Sequence, residues 1–181
     1  MSVQNITEKA TFLTFTLNRE IFAIQVANVR EVLDLAEITV VPRTPKFMRG
    51  VINLRGRVVP VVDMRIKFDL PAVQDTVDTC IIVVEVNFDD EKMVIGALAD
   101  SVEEVFELGE EEIEPPPSIG SSLDSEFIRG MGKLGEKFIV ILDIDKVFSV
   151  DELAMATDPG EVDPAVLSDI KTVEPVEEAV V

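Results

Sequence analysis

The 181-residue chain contains no histidine, no tryptophan and no tyrosine. Without histidine it cannot build a Ser-His or Cys-His nucleophile, a histidine-bearing zinc site, or the commonest general base near neutral pH. Any enzymology would rest on carboxylates. One cysteine, Cys80, lies inside an apolar run, so no disulfide can close within the chain and a reducing, cytoplasmic setting is expected. Charges interrupt the apolar residues every few positions, and no run approaches the roughly 18–20 residues of a membrane-spanning helix. The start, MSVQNITEKATF, lacks the basic-then-apolar pattern of a secretory signal, so neither export nor direct membrane insertion is expected.

What remains is apolar and acidic. Hydrophobic residues make up 47% of the chain, enough for a real core, and the formal net charge is −19. That charge is uneven. Residues 1–70 carry ten Lys/Arg against seven Asp/Glu, residues 71–149 five against nineteen, and residues 150–181 one against nine. An acidic surface repels phosphate backbones, which argues against nucleic acid and anionic lipid as partners. The contrast between a mildly basic front and an acidic back could serve solubility or steer protein association.

The pattern along the chain is that of short strands and turns. In TFLTFTL, Leu13, Phe15 and Leu17 alternate with Thr14 and Thr16, the period of two of a half-buried strand. A turn at 18–20 and a second strand at 21–26 follow. In VANVREVLDL, Val26, Val29 and Leu33 recur at helical spacing, which predicts a short helix passing into a strand near Val32. Residues 38–41 read as extended ahead of Pro42. A hairpin is expected with arms at 50–54 and 57–63 and Arg55-Gly56 at its tip, glycine supplying the turn conformation. Pro60 in the second arm cannot donate to a ladder, so that arm should lie at an edge or have that side unpaired. Further strands are expected at 80–86, 93–98 and 102–108.

The chain repeats this plan. RGVINLRGRVVPVVDMRIKF, residues 49–68, is matched without a gap by RGMGKLGEKFIVILDIDKVF, residues 129–148. From Phe47 and Phe127 onward, Phe47, Arg49, Gly50, Leu54, Asp63 and Phe68 meet identical residues at Phe127, Arg129, Gly130, Leu134, Asp143 and Phe148. Upstream, Val29, Glu31 and Val32 match Val102, Glu104 and Val105 at an offset of 73. The change of offset falls in PPPSIGSSLDSE, a loop where insertion is cheap. Six identities in twenty-two ungapped positions imply two copies of one small β unit, with a groove between them as a seat for a partner.

With VANVREVLDL, FMRGVINLRGRVVPVVDMRIKF and ADSVEEVFEL…IEPPP, the sequence resembles the chemotaxis coupling protein CheW family over about residues 12–149. The resemblance implies a mostly β fold of two pseudo-symmetric, intertwined five-stranded SH3-like barrels with short helices. The expected layout is an extension at 1–11, the double module at 12–149 with repeats near 12–70 and 78–149, and an acidic tail at 150–181. The resemblance further implies no enzymatic activity, and an adaptor that ties the cytoplasmic tip of chemoreceptors to the regulatory domain of the histidine kinase CheA. Such an adaptor would be recruited to receptor arrays at the inner face of the membrane. A related adaptor of a type IV pilus or other chemosensory pathway is the alternative.

Arg55 at a hairpin tip can offer a two-pronged hydrogen bond to a carboxylate, or simply be a solvated turn residue. Its counterpart in the second repeat is Gly135, so the fold does not demand arginine there and a functional role is favoured. The resemblance places Arg55 at the receptor contact, with Glu31 as its neighbour or competitor. It also places Val29, Val32 and Val105 along the groove that takes the receptor's helical hairpin, although isolated aliphatics are more often core. Gly50 falls near that groove by the same likeness, and its repetition as Gly130 fits a backbone requirement equally. Catalytic, cofactor and metal sites are not expected. The acidic stretch 109–114 lacks the spacing of a calcium loop, and Asp63 and Asp143 are explained by strand-end hydrogen bonding. In the tail, PAVLSDIK reads as a short helix and the last ten residues as disordered.

Overall fold

The computed structural model describes residues 9–71, 74–88, 90–115, 127–147 and 172–173. Its elements run β1 (Ala10–Leu17), β2 (Glu20–Gln25), a 3-10 turn (Val26–Asn28), β3 (Val29–Asp34), β4 (Met48–Leu54), β5 (Arg57–Asp63) and α1 (Met64–Lys67). They continue as β6 (Cys80–Phe88), β7 (Glu91–Ala99), β8 (Ser101–Leu108), a 3-10 turn (Glu110–Glu112), β9 (Ile128–Leu134), β10 (Lys137–Leu142), α2 (Ile144–Val147) and β11 (Thr172–Val173). One sheet has the order β8-β1-β2-β10-β9; the other has β4-β5-β7-β6-β3, extended by β11 on the outer side of β4. Each five-stranded sheet therefore combines three strands of one repeat with the leading hairpin of the other.

The pairing registers carry the duplication further than the sequence identities do. β3 pairs with β6 through Val29↔Val84, Glu31↔Val83 and Val32↔Ile82, and the register shifts at Arg30. β8 pairs with β1 through Val102↔Phe15 and Val105↔Leu13, and shifts at the corresponding place. β4 and β5 shift between Met48 and Gly50, and β9 with β10 shifts between Ile128 and Gly130. The parallel contacts also correspond, Val61↔Gly96 with Ile141↔Ala23. A bulge places one extra residue on one strand and bends it, so its repetition in matching positions marks the same backbone path walked twice.

Gly50 and Gly130 sit at these bulges because another backbone passes directly over them. A Cβ on Gly50 would overlap the Thr39 carbonyl, and one on Gly130 would lie 2.6 Å from the Glu114 carbonyl oxygen. Those same segments form single bridges, Thr39 to Val51 and Glu114 to Met131. The two Asp residues behave alike too. Asp63 N–H donates to Phe47 O and Asp143 N–H to Phe127 O, at 2.6 and 2.8 Å. Their carboxylates then accept the backbone N–H of Arg65 at 2.9 Å and of Asp145 at 3.2 Å, opening α1 and α2.

Three apolar clusters fill the molecule. The largest draws on both sheets and includes Leu13, Phe15, Leu17, Phe22 and Ile24 from one, and Val62, Ile82, Val84, Val86 and Ile95 from the other. Smaller clusters lie within each sheet's own curve, around Ile52, Val61, Ile81 and Leu98, and around Phe12, Leu108, Ile139 and Ile141. Rings step across the shared core, Phe22 to Phe68 at 5.8 Å and Phe68 to Phe127 at 4.9 Å between centroids.

Several expectations are refined by these contacts. β1 is buried on both faces rather than half-buried, because β8 and β2 flank it and each face meets a core; Thr14 is buried with its hydroxyl bonded to the Glu104 backbone N and O. The short helix expected ahead of a strand near Val32 shrinks to the three-residue turn, and the strand starts earlier, since Val29 onward is drawn into the β6 ladder. β5 is interior in the sheet order, not an edge, but the β7 ladder begins at Val61, so Pro60 has no partner on that side. The SH3-like fold is present, but the expected barrels are open in their ladders. Among the described residues no ladder pairs β3 with β4; the segment after β3 meets β4 at the Thr39–Val51 bridge, and β11 lies on the outer side of β4. The tail's PAVLSDIK and residues 174–181 lie outside the described residues, whereas Thr172 and Val173, the first two of the ten residues expected to be disordered, form β11.

Candidate partner-docking site

The β4–β5 turn forms because Arg55 and Gly56 both take positive φ, 53° and 83°, as a two-residue hairpin of this twist requires. Gly56 N–H donates to Asn53 Oδ1 at 2.8 Å, fixing the turn. From this tip the Arg55 guanidinium reaches across to β3. Its Nη1 donates to Glu31 Oε2 at 2.8 Å and its Nη2 to Glu31 Oε1 at 3.0 Å. This two-pronged pair links the two edges of one sheet and stays in solvent on the arginine side. The hydrogen bond to Glu31, and then its charge, raise the guanidinium's pKa, so Arg55 is cationic at every working pH.

The bulge at Arg30 decides where the valines point. Directly opposed residues share a face, and Val29 and Val32 oppose Val84 and Ile82, both members of the shared core. Without the extra residue they would fall on opposite faces. Val102 and Val105 oppose Phe15 and Leu13, again of the shared core. The inner pair, Val29 and Val102, packs against that core. The outer pair is left in solvent, with Val32 43% and Val105 55% exposed. Each edge strand thus ends the inter-sheet face with an exposed valine. The intervening Arg30 donates to Glu85 at 2.9 Å.

Among the six expected residues, the structure joins Arg55 directly to Glu31 and puts Val29 and Val32 on one face of the same strand. Val105 occupies the equivalent place on β8. Gly50 is buried beneath Thr39, where its lack of a side chain is a packing necessity.

The sequence reading missed a second charged cluster. Arg65, 2% exposed, donates from Nε and Nη2 to Asp63 at 3.0 Å each, and from Nη1 to Asp100 at 2.9 Å. Asp75 and Arg49 extend the network at 3.3–3.4 Å. Burial pushes the Asp63 carboxyl upward, but the Arg65 hydrogen bonds and charge outweigh it and hold the group below the usual carboxylate range. Asp100 also accepts the Asn18 N–H at 2.6 Å, tying the β1–β2 turn of one sheet to α1 of the other. In the second repeat Asn87 N–H reaches Asp145 directly at 2.8 Å. The only sequence signal for this was a mismatch, since Arg65 aligns with Asp145.

Among the described residues no group of three or more Cys, Asp or Glu is arranged to hold a metal. No described helix is long and apolar enough to cross a membrane. Fold and surface together define a duplicated SH3-like β module that exposes the Arg55–Glu31 pair and the valines Val32 and Val105. A family model for the CheW-like domain matches residues 11–152. Chemotaxis protein CheW of Klebsiella aerogenes is 38% identical over 144 residues, covering 80% of this chain and 84% of that one. CheW of Thermotoga maritima is 30% identical over 149 residues, covering 75% and 85%. The crystal structure of the scaffolding protein CheW from Thermoanaerobacter tengcongensis superposes with a TM-score of 0.70 at 33% identity, covering 80% and 96%. The chain belongs to the CheW family of chemotaxis scaffold proteins.

Proposed function

We propose that this protein is a chemotaxis adaptor that holds the cytoplasmic tip of chemoreceptors and the regulatory domain of the histidine kinase CheA together, with no chemistry of its own. The observation that carries the reading is the exposed Arg55–Glu31 pair at a hairpin tip whose repeat counterpart is a bare glycine. Glu31 holds the guanidinium in one orientation before a partner arrives, which lowers the ordering cost of binding. A receptor carboxylate then shares or displaces Glu31. Val32 and Val105, with Val29 behind, offer the apolar surface that a helix docking at the inter-sheet face would bury. Placement at receptor arrays under the membrane follows from that contact.

The test mixes the protein with CheA and a receptor signalling fragment and reads receptor-dependent kinase activity. Arg55→Ala and Val32→Asp are expected to abolish most of the receptor dependence while leaving the thermal midpoint near that of the parent, since both side chains are exposed. Full receptor-dependent activity in both variants would remove the site assignment.

A further inference from the structure

The two repeats differ at one charged site. In the first, the end of β5, the start of α1 and the turn after β7 close around the Arg65 guanidinium, which Asp63 and Asp100 accept at 3.0 and 2.9 Å. The offset of 80 between repeats sets Asp143 against Asp63, Arg129 against Arg49 and Asp145 against Arg65, and the offset of 73 sets Ala27 against Asp100. The second repeat therefore keeps the aspartate and lacks the arginine. There the matching elements, the end of β10, the start of α2 and the turn after β2, border a cavity of about 250 Å³. Gln25, Asn28, Arg129, Asp143 and Asp145 are among the residues that line it.

Its carboxylates are only partly used. Asp143 accepts the Asp145 N–H at 3.2 Å and meets Lys146 Nζ at 3.9 Å, a lysine whose side chain is 64% exposed. Asp145 accepts the backbone and side-chain N–H groups of Asn87 at 2.8 and 3.3 Å. A carboxylate has about four acceptor positions, so both retain capacity. Asn28 donates through Nδ2 to the Glu85 carbonyl at 3.3 Å, which leaves Oδ1 as its acceptor, one residue from the place of Asp100. Arg129 on the wall does not bar a second guanidinium, because its counterpart Arg49 shares Asp63 with Arg65 at 3.4 Å. We infer that this cavity takes an arginine side chain of a partner protein, its guanidinium held by Asp143 as Arg65 is held by Asp63. Arginine fits better than lysine because its planar fork matches a carboxylate with two parallel bonds. A polypeptide is the source because the family's work is scaffolding. The contact shares no residue with the Arg55–Glu31 site and adds a docking point to it.

The test titrates the isotope-labelled full chain with N-acetyl-arginine amide and follows the backbone amides of residues 143–145 and the side-chain amides of Gln25 and Asn28. Saturable shifts confined to these groups are expected, with a dissociation constant on the order of 1–10 mM for one side chain alone. N-acetyl-lysine amide should bind at least about fivefold more weakly. Asp143→Asn keeps an oxygen for the Asp145 N–H but loses the charge, and should weaken binding about tenfold. Asp145→Arg restores the residue type of the first repeat, fills the cavity from within and should abolish binding; it decides alone if Asp143→Asn does not fold. Shifts that never saturate, that spread over the surface carboxylates, or that persist in Asp145→Arg overturn the site. Equal binding of the lysine compound overturns the preference for arginine. Free L-arginine binding more than about tenfold tighter than the amide would assign the cavity to the amino acid and overturn the partner.

Discussion

At the level of single residues, the pair Asp63 and Asp143 separates what the fold needs from what one repeat adds. Both accept a backbone N–H at the start of a short helix. Only Asp63 also neutralises a buried guanidinium, and its side chain is 4% exposed against 33% for Asp143. Asp63→Ala leaves Arg65 buried with weaker partners and is expected to cost about 3–5 kcal/mol, the range for breaking a buried pair. Asp143→Ala removes a capping bond worth about 1 kcal/mol. Urea titration of the two variants checks the ordering; equal losses would show that Asp100 and Asp75 carry Arg65 unaided. The sequence displayed both aspartates as a repeat identity, so their shared role was legible. The Arg65 network was not, because Asp75 and Asp100 are distant along the chain and only folding brings them to one guanidinium.

At the level of elements, the repeated bulges explain why Arg-Gly recurs at positions 49–50 and 129–130. The arginine takes the extra position and the glycine lets another strand pass over. Gly50 also has φ of 143°, outside the comfortable range of other residues. Gly50→Ala must move the Thr39 backbone and is expected to destabilise by about 3 kcal/mol or more, through overpacking and backbone strain together. Gly130→Ala, without the unfavourable φ, should cost less. Thermal unfolding of both variants measures the difference, and a Gly50→Ala protein as stable as the parent would show that the crossing is soft.

The hairpin β4–β5, its arms and its tip were legible because Arg55-Gly56 between two short apolar, valine-rich runs gives a strong local signal. The short helix expected from Val26, passing into a strand near Val32, is realised only as the turn Val26–Asn28 with the strand starting at Val29, because helical spacing in a few residues yields to an available β6 edge. The same bulge that defeats the pattern puts Val29 and Val32 on one face, a placement no periodicity could forecast. β11 gave no signal at all; two residues carry too little pattern, and their pairing depends on where β4 leaves its outer edge open.

At the level of the whole molecule, two sheets that exchange hairpins and share one core should unfold together. Phe68 lies at the centre of that sharing, with Phe22 and Phe127 of the other sheet stacked on either side. Phe68→Ala is expected to lower stability by about 2 kcal/mol, less than for a fully buried phenylalanine. It should weaken hydrogen-exchange protection of β4–β5 and β9–β10 amides equally; protection lost on one side alone would mean the halves open separately.

Charge sets the solution limits of this unit. A net −19 makes the folded state repel itself, so salt is expected to raise the melting temperature at pH 7. Acid acts in two opposed ways. Protonating surface carboxylates toward pH 5 relieves the repulsion. Asp63, however, is held below its ordinary value in the fold. Its contribution is therefore complete above the unfolded-state value of about 3.9 and disappears as pH falls through the lower folded-state value. Stability should rise or stay level from pH 7 to about 5 and drop below about 4. The Asp63→Asn variant should show a shallower acid limb than the parent, as melting curves across that range would reveal; parallel limbs would place the acid sensitivity in the general loss of surface charge.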